Sequence, residues 1–163
     1  MEIAKEKILQ DLKEKIITSE DLSFLIEEIN LAKSFSFKDS GLSLSEKLKE
    51  RVSENFRVFV WSLEKEKLLP ETPKERFSFF DEIEEELRNL PKVKIEISFE
   101  PSRNFLLQVK NWFRENLKKE VILEVIKNPK VVGGAIVEYQ GKYLDFSLAK
   151  EIDRFFAKKH GGI

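Results

Sequence analysis

Cysteine is absent from this chain, and histidine and methionine each occur once. Without cysteine there is no disulfide framework, no thiolate metal site and no cysteine nucleophile. A single histidine, His160 in the Lys-Lys-His-Gly-Gly tail, cannot furnish a His-rich metal site. It also leaves a Ser-His-Asp triad without a well-placed base. No apolar run approaches the ~18 residues that a membrane-spanning helix needs. The opening stretch MEIAKEKILQDLKEK lacks the apolar core of a signal peptide. A cytoplasmic protein is the expectation, with any membrane link made through a partner. Tyrosine is scarce at 2 while phenylalanine reaches 14, so the aromatics read as core material.

What is present in excess is charge. Charged residues make up 36% of the 163 positions and hydrophobic ones 41%, against an average charged share of ~25%. Added charge without lost hydrophobicity points to long, solvated helices. The net charge of −1 hides an asymmetry: residues 1–91 hold 15 Lys and Arg against 21 Asp and Glu, a net of −6, and residues 92–163 hold 14 against 9, a net of +5. Either the halves complement each other or they face different partners.

The apolar spacing changes once along the chain. Ile8 or Leu9, Leu12 and Ile16 recur at helical spacing, and Thr18 and Ser19 offer a cap for a second helix striped by Leu22, Leu25, Ile26, Ile29 and Phe35. The segment SFKDSGLSL at 36–44 is a break. A further helical pattern runs from Ser45 through Leu48, Val52, Phe56, Phe59, Val60, Leu63 and Leu68 until Pro70 and Pro73 stop it. Phe77, Phe80, Ile83, Leu87 and Leu90 form the next stripe, with Pro73 near its first turn. After Pro91 the period drops to two: Val93, Ile95, Ile97 and Phe99 alternate with Lys94, Glu96, Ser98 and Glu100, a half-buried strand. A helical stripe of Phe105, Leu106, Val109, Trp112, Phe113 and Leu117 follows. Strands are expected at 121–126 and 131–139, a hairpin at Gln140-Gly141 into Lys142-Tyr143-Leu144, and a last helix capped by Ser147 with Leu148, Ile152, Phe155 and Phe156 on one face. The expected fold is α+β: a helical bundle over 1–91, then a small β-α-β-β-β-α module over 92–163.

Tests for chemistry find little. Gly133-Gly134 and Gly141-Lys142 do not make a phosphate loop, because Ile136 stands where that motif needs glycine and Tyr143 where it needs Ser or Thr. The acidic run Asp81, Glu82, Glu84, Glu85 and Glu86 lies opposite an apolar stripe and reads as a solvated helix face. Asp145 and Ser147 sit where a strand meets a helix and read as capping residues. VGGAIVEY at 132–139 loosely echoes an RNA-binding signature, but its stacking positions hold Gly134 and Ile136, which offer no π-face. No catalytic, cofactor-binding or metal-ligating residue is expected.

The stretch NPKVVGGAIVEYQGKYLDFS, from Asn128 to Ser147, resembles the C-terminal signature of the delta subunit of F-type ATP synthases, the family of the oligomycin sensitivity conferring protein. The family pattern is Asp-Pro-x-Leu-Ile-Gly-Gly, an aliphatic strand, a Gly turn, then Asp-x-Ser. Pro129, Gly133, Gly134, Gly141, Asp145 and Ser147 match it, while Asn128 replaces Asp and Val131-Val132 replace Leu-Ile. KVKIEISFEPS and ENFRVFVWSLEKEKLL resemble the strand and late helix upstream, so the resemblance runs from about Glu54 to Phe156. The region before Glu54 lacks the family's Tyr-Ala-x-Ala-Leu and is shorter than a six-helix bundle requires. The resemblance implies a non-catalytic peripheral-stalk subunit at the cytoplasmic face of the plasma membrane, reaching the membrane only through its complex. Its helical module would grip N-terminal segments of alpha subunits, and its second module would bind the C-terminal helices of b subunits. The six matching residues would be structural or partner-binding. An E-like stalk protein of the vacuolar-type enzymes and a nucleic-acid-binding module are the alternatives.

Overall fold

Five helices precede the first strand: α1 (Glu2–Lys15), α2 (Ser19–Ser36), α3 (Leu44–Lys47), α4 (Glu54–Lys65) and α5 (Pro73–Arg88). Then follow β1 (Lys92–Ile97), α6 (Arg103–Leu117), β2 (Ile122–Lys127), β3 (Ala135–Tyr139) and β4 (Lys142–Asp145). The computed structural model describes residues 2–131 and 133–145. The expected final helix, with Ser147, lies outside them, as does His160. The order of the described elements is that of an α+β fold, as expected. The chain divides into two units, Met1–Ile16 with Glu20–Leu90 and Ile17–Ser19 with Pro91–Ile163.

In the first unit the caps are written locally. Thr72 closes a capping box with Glu75 and Pro73 opens α5, so the first orphan donors of the helix are satisfied at its own start. Phe80, Ile83 and Leu87 are then buried on one face. The single helix expected from Ser45 to Leu68 is two. Glu50 takes a left-handed φ of 63°, and Ser53 caps α4 by accepting the Phe56 N–H, while its own N–H donates to Glu28. The apolar spacing runs through this break because both pieces bury the same kind of face. Glu64 of α4 in turn caps α3, accepting the Leu44 N–H at 2.6 Å and the Ser45 hydroxyl at 2.5 Å.

Long-range charge pairs tie α5 to α1 and α2. Lys33 is only 7% exposed, yet its ammonium lies 2.6 Å from both Asp81 and Glu84. Glu84 also meets Arg88. Lys5 pairs with Glu82 and Lys13 with Glu86. The acidic run is therefore not simply a solvated face: it receives lysines from two other helices. Burial works to lower the Lys33 pKa, but its hydrogen bonds to Asp81 and Glu84, with their charges, outweigh that and hold it above the ordinary 10.5. Burial likewise works to raise Glu84, and the hydrogen bonds from Lys33 and Arg88 hold it below the ordinary 4.5.

The second unit is a four-stranded sheet in the order β2-β1-β3-β4. β1 pairs with β2 in parallel, Val93 opposite Leu123 and Ile95 opposite Val125, and α6 supplies the crossover that parallel pairing demands. β1 pairs with β3, and β3 with β4, antiparallel. Val93, Ile95 and Ile97 are buried in the unit's core with Leu106 and Phe113 of α6. The outer edge of β2 is covered by a short segment from between α1 and α2: the Leu123 N–H donates to the Ile17 carbonyl at 2.9 Å, and Thr18 bridges Leu123 in parallel. An edge strand is thereby kept from open pairing. Gln140 and Gly141 both have positive φ, 50° and 73°, the geometry of a tight two-residue hairpin turn that follows the sheet twist.

The third strand begins later than its apolar run suggests. Residues 131–139 were expected as strand, but β3 starts at Ala135. Gly133 and Gly134 hold φ of 65° and 70°, values no extended strand contains, so they form a turn ahead of it.

Replacing Lys33 by Met takes one of two cations from the half-buried Glu84 carboxylate, and thermal and urea unfolding should show a loss of about 1 to 3 kcal/mol, less than for a fully buried broken pair because Arg88 remains. The pH dependence has a definite sign. Glu84 is depressed in the folded state, so its contribution is full above the ordinary carboxylate range and disappears as pH falls through the folded value. Lys33 is raised, so its contribution is full below 10.5 and disappears as pH climbs through the folded value. Urea titrations across pH should give a plateau between these limits in the wild type. The acid-side fall should be shallower in Lys33→Met; an equal fall would show that Lys33 does not depress Glu84.

Candidate functional site

Among the described residues no three His, Cys, Asp or Glu side chains gather as a metal site. Among the described residues each unit carries an apolar groove.

The groove of the first unit lies between α1, α5 and the loop after α4, with a volume of about 770 Å³. Ile8, Leu68, Leu69 and Phe79 give it an apolar lining, and Lys5, Lys67, Lys74, Glu71, Glu75 and Glu82 ring it with both signs of charge. The sequence places these residues there by simple means. Lys67 adopts a left-handed φ of 55° just past α4. The Leu68 and Leu69 N–H groups then both return to the Leu63 carbonyl, at 2.9 and 3.2 Å, which turns the chain before Pro70. Beyond it a polar cleft lined by Lys5, Gln10, Lys13 and Glu86 continues along α1. An apolar floor with a mixed charged rim suits an amphipathic helix rather than a small polar substrate.

The groove of the second unit runs between α6 and β3, with a volume of about 460 Å³. Its walls are Phe99, Phe105, Val109 and Trp112, and its floor is Gly134, Ala135 and Val137. The stripe read on α6 resolves into two rows. Leu106 and Phe113 are buried on the sheet, whereas Trp112 is 51% exposed and Phe105 and Val109 are half-buried. Phe99 and Phe105 meet edge to face at 5.8 Å. Leu107 is also exposed. Spacing alone shows that α6 has apolar residues, not that they outnumber the places the sheet offers.

Charge is buried here too. Lys110 is 3% exposed, 3.5 Å from Glu120, and Arg114 approaches the same carboxylate. No pattern in the sequence marks Lys110, which occupies a position of the buried helix face.

The six residues picked out by sequence are brought together only in part. Asn128 and Pro129 make the turn after β2. The Asn128 N–H donates to the Ile97 carbonyl at 2.7 Å, and its side-chain oxygen accepts from the Lys130 N–H at 3.0 Å, the hydrogen bond of an Asx turn. Its amide nitrogen donates to Glu96 at 2.7 Å. That bond, followed by the one from Lys94, holds the Glu96 pKa below the carboxylate norm. Pro129 is exposed. Gly133 and Gly134 form the turn into β3, and Gly134 lines the groove beside α6. Gly141 lies at the hairpin tip, with open space where a Cβ would stand. Asp145 ends β4 opposite Ile136, and Ser147 lies outside the described residues. The residues that sequence reading missed are Lys33, Glu64, Lys110 and Glu120, whose partners lie outside their own elements.

A family model described as the ATP synthase delta (OSCP) subunit matches residues 3–158. The likeness is not confined to the part after Glu54: it takes in α1 to α3, although that region lacks the Tyr-Ala-x-Ala-Leu motif. No curated protein matches the chain.

Two glycine substitutions separate strain from space. Gly141→Ala meets no neighbour and should cost only the left-handed strain, about 1 kcal/mol. Gly134→Val adds a β-branched side chain at φ 70° on the groove floor and should cost on the order of 2 to 3 kcal/mol. Equal losses in urea unfolding would show that the groove makes no demand at position 134.

Proposed function

We propose a role from one premise: the chain belongs to the ATP synthase delta (OSCP) subunit family and is a peripheral-stalk subunit of that complex. Its work is mechanical. It holds the catalytic head against the torque of the rotor, and it does so through helix contacts rather than through an active site. The observation that carries this reading is the family match across both units, and the presence of an apolar groove in each supports it.

In the first unit the α1–α5 groove takes an N-terminal segment of an alpha subunit, seated on Ile8 and Phe79 with its charges against the mixed rim. In the second unit the C-terminal helix of a b subunit lies along α6, with Leu107 as an exposed anchor. Burial of such apolar faces gains ~25 cal/mol per Å² against the cost of association. The net positive charge of residues 92–163 speeds encounter with an acidic partner, so added salt slows association more than it speeds release. The site of action is the cytoplasmic face of the plasma membrane, reached through the complex; among the described residues no helix is long and apolar enough to cross a membrane. Pro129, Gly133, Gly134, Gly141, Asp145 and Ser147 serve the fold of the b-binding unit. Membership of the delta family replaces the vacuolar-type alternative, and an RNA-binding module has no stacking aromatics at Gly134 and Ile136.

The full-length chain, titrated calorimetrically with an alpha N-terminal peptide and separately with a b C-terminal peptide, should bind both without nucleotide or metal. Phe79→Asp should weaken the alpha peptide at least about tenfold, the ~1.4 kcal/mol of one lost apolar anchor, and leave the b peptide unaffected. Leu107→Asp should do the reverse. Absence of heat with either peptide, together with RNA binding by the same chain, would transfer the assignment to the nucleic-acid reading.

A further inference from the structure

The first unit also exposes apolar surface on the flank of α5 turned away from its groove. Phe79 and Glu82 look toward α1, while Phe77 and Asp81 look toward α2 and the loop after it. There Phe77 is 40% exposed and packs at 6.0 Å on Phe37, itself 59% exposed; Leu42 of the same loop is exposed too. The Lys33 ammonium lies 5.2 Å from the Phe77 ring centroid. Beside them Phe35 carries two cations, Lys38 at 3.7 Å and Arg51 at 4.9 Å from its ring centroid, and Lys47 donates to the Lys38 carbonyl. Single exposed apolar side chains are ordinary, but a cluster of them rimmed by charge marks an interaction surface. We propose that this surface binds a short acidic segment of a partner protein, whose apolar anchors seat on Phe37 and Phe77.

Charge fixes the occupant. Residues 33–51 hold five Lys and Arg against three Asp and Glu, a net of +2, so the rest of residues 1–91 carries −8. Lys33 is engaged by Asp81 and Glu84, and Glu46 is turned into the α3 cap. That leaves Lys38, Lys47, Lys49 and Arg51 against Asp39 and Glu50. Such an island acts over about 8 Å at physiological ionic strength. A broad anionic surface, such as a bilayer or a nucleic acid, would also meet the negative charge around the island and be repelled. A narrow acidic segment meets the island alone. The surface is preorganised as well. Phe35 fixes its two cations by cation–π contact, and Lys33 and Phe37 fix Phe77, so little side-chain freedom is left to lose on binding. The α1–α5 groove, with both signs of charge on its rim, makes no such choice of partner. This second site goes beyond the stalk reading and does not depend on it.

The full-length chain is titrated calorimetrically with a blocked synthetic peptide of Glu and Ser that carries Leu and Phe four residues apart, and with a twin in which Lys replaces Glu. The Glu peptide should bind at least about tenfold tighter than its twin, and added salt should weaken it. Amide shifts should gather in residues 33–51 and at Phe77. Lys38→Glu with Arg51→Glu should reverse the preference. Phe37→Asp should abolish binding, while Phe37→Leu should keep it within about threefold. Should a variant fail to fold, the wild-type peptide preference and amide shifts decide. No heat, equal affinity for the two peptides, or amide shifts elsewhere overturn the proposal. Flotation with phosphatidylglycerol vesicles that Phe37→Asp abolishes gives the surface to a membrane, and patch amides that shift on dilution of the chain alone give it to a second copy; either overturns it. So does displacement of the Glu peptide by the alpha peptide, which would make groove and patch one site. Failure of the Glu peptide leaves the stalk reading to its own titrations.

Discussion

The parallel pairing of β1 with β2 is the constraint from which the second unit follows. Parallel neighbours cannot be joined by a tight turn, so a helix must cross the sheet between them, and α6 does. That helix has to lie on the face where Val93, Ile95 and Ile97 point. β1 also needs a partner on its other side, and β3 supplies it antiparallel, which permits the short hairpin to β4. β2 is left as an edge, and Ile17–Ser19 answer that edge. The polar face carries Lys94, Glu96 and Glu138 in an ion-pair ladder, as one expects where a mixed sheet turns one face to water.

The first unit is governed by a different economy. Its apolar stripes bring helices together without saying which helix meets which. The charges discriminate. Lys33 on α2 has a proper environment only where Asp81 and Glu84 converge, and a buried ammonium without them is costly. Lys5 and Lys13 repeat the choice along α1 at the exposed rim, where each pair contributes little alone. Buried ion pairs are weak devices for raising stability, but one that can be satisfied in a single arrangement selects that arrangement.

Much of this was legible in the residues, and what was not has physical causes. The alternation from Val93 to Phe99 and the Pro73 start of α5 act within a few residues, so sequence reports them directly. The break between α3 and α4 was hidden because Leu48 and Val52 prolong an apolar stripe across Glu50, a residue with no intrinsic preference for left-handed backbone. Gly133 and Gly134 sit in an aliphatic run that suggests strand, and their turn shows only in the dihedrals. Lys33 and Lys110 look like solvated charges until partners 48 residues away or across a helix end are in place. The family resemblance was legible after Glu54, whereas the family match begins at residue 3, in a stretch where the sequence offers no short motif to read.

The segment Ile17–Ser19 sets the order of events on the ribosome. Thr18 emerges early, but its partner Leu123 comes 105 residues later. At ~5–20 residues per second that interval is about 5 to 20 s. Helices form within microseconds, so α1 and α2 can be in place on either side of the segment long before β2 exists. A strand fragment left loose for that time would be open to wrong pairing with other nascent chains. Held between two helices, it is short, fixed at both ends and presented to one incoming edge. The second unit is therefore finished against a piece of itself, Ile17–Ser19, that has been waiting in the chain since early in synthesis.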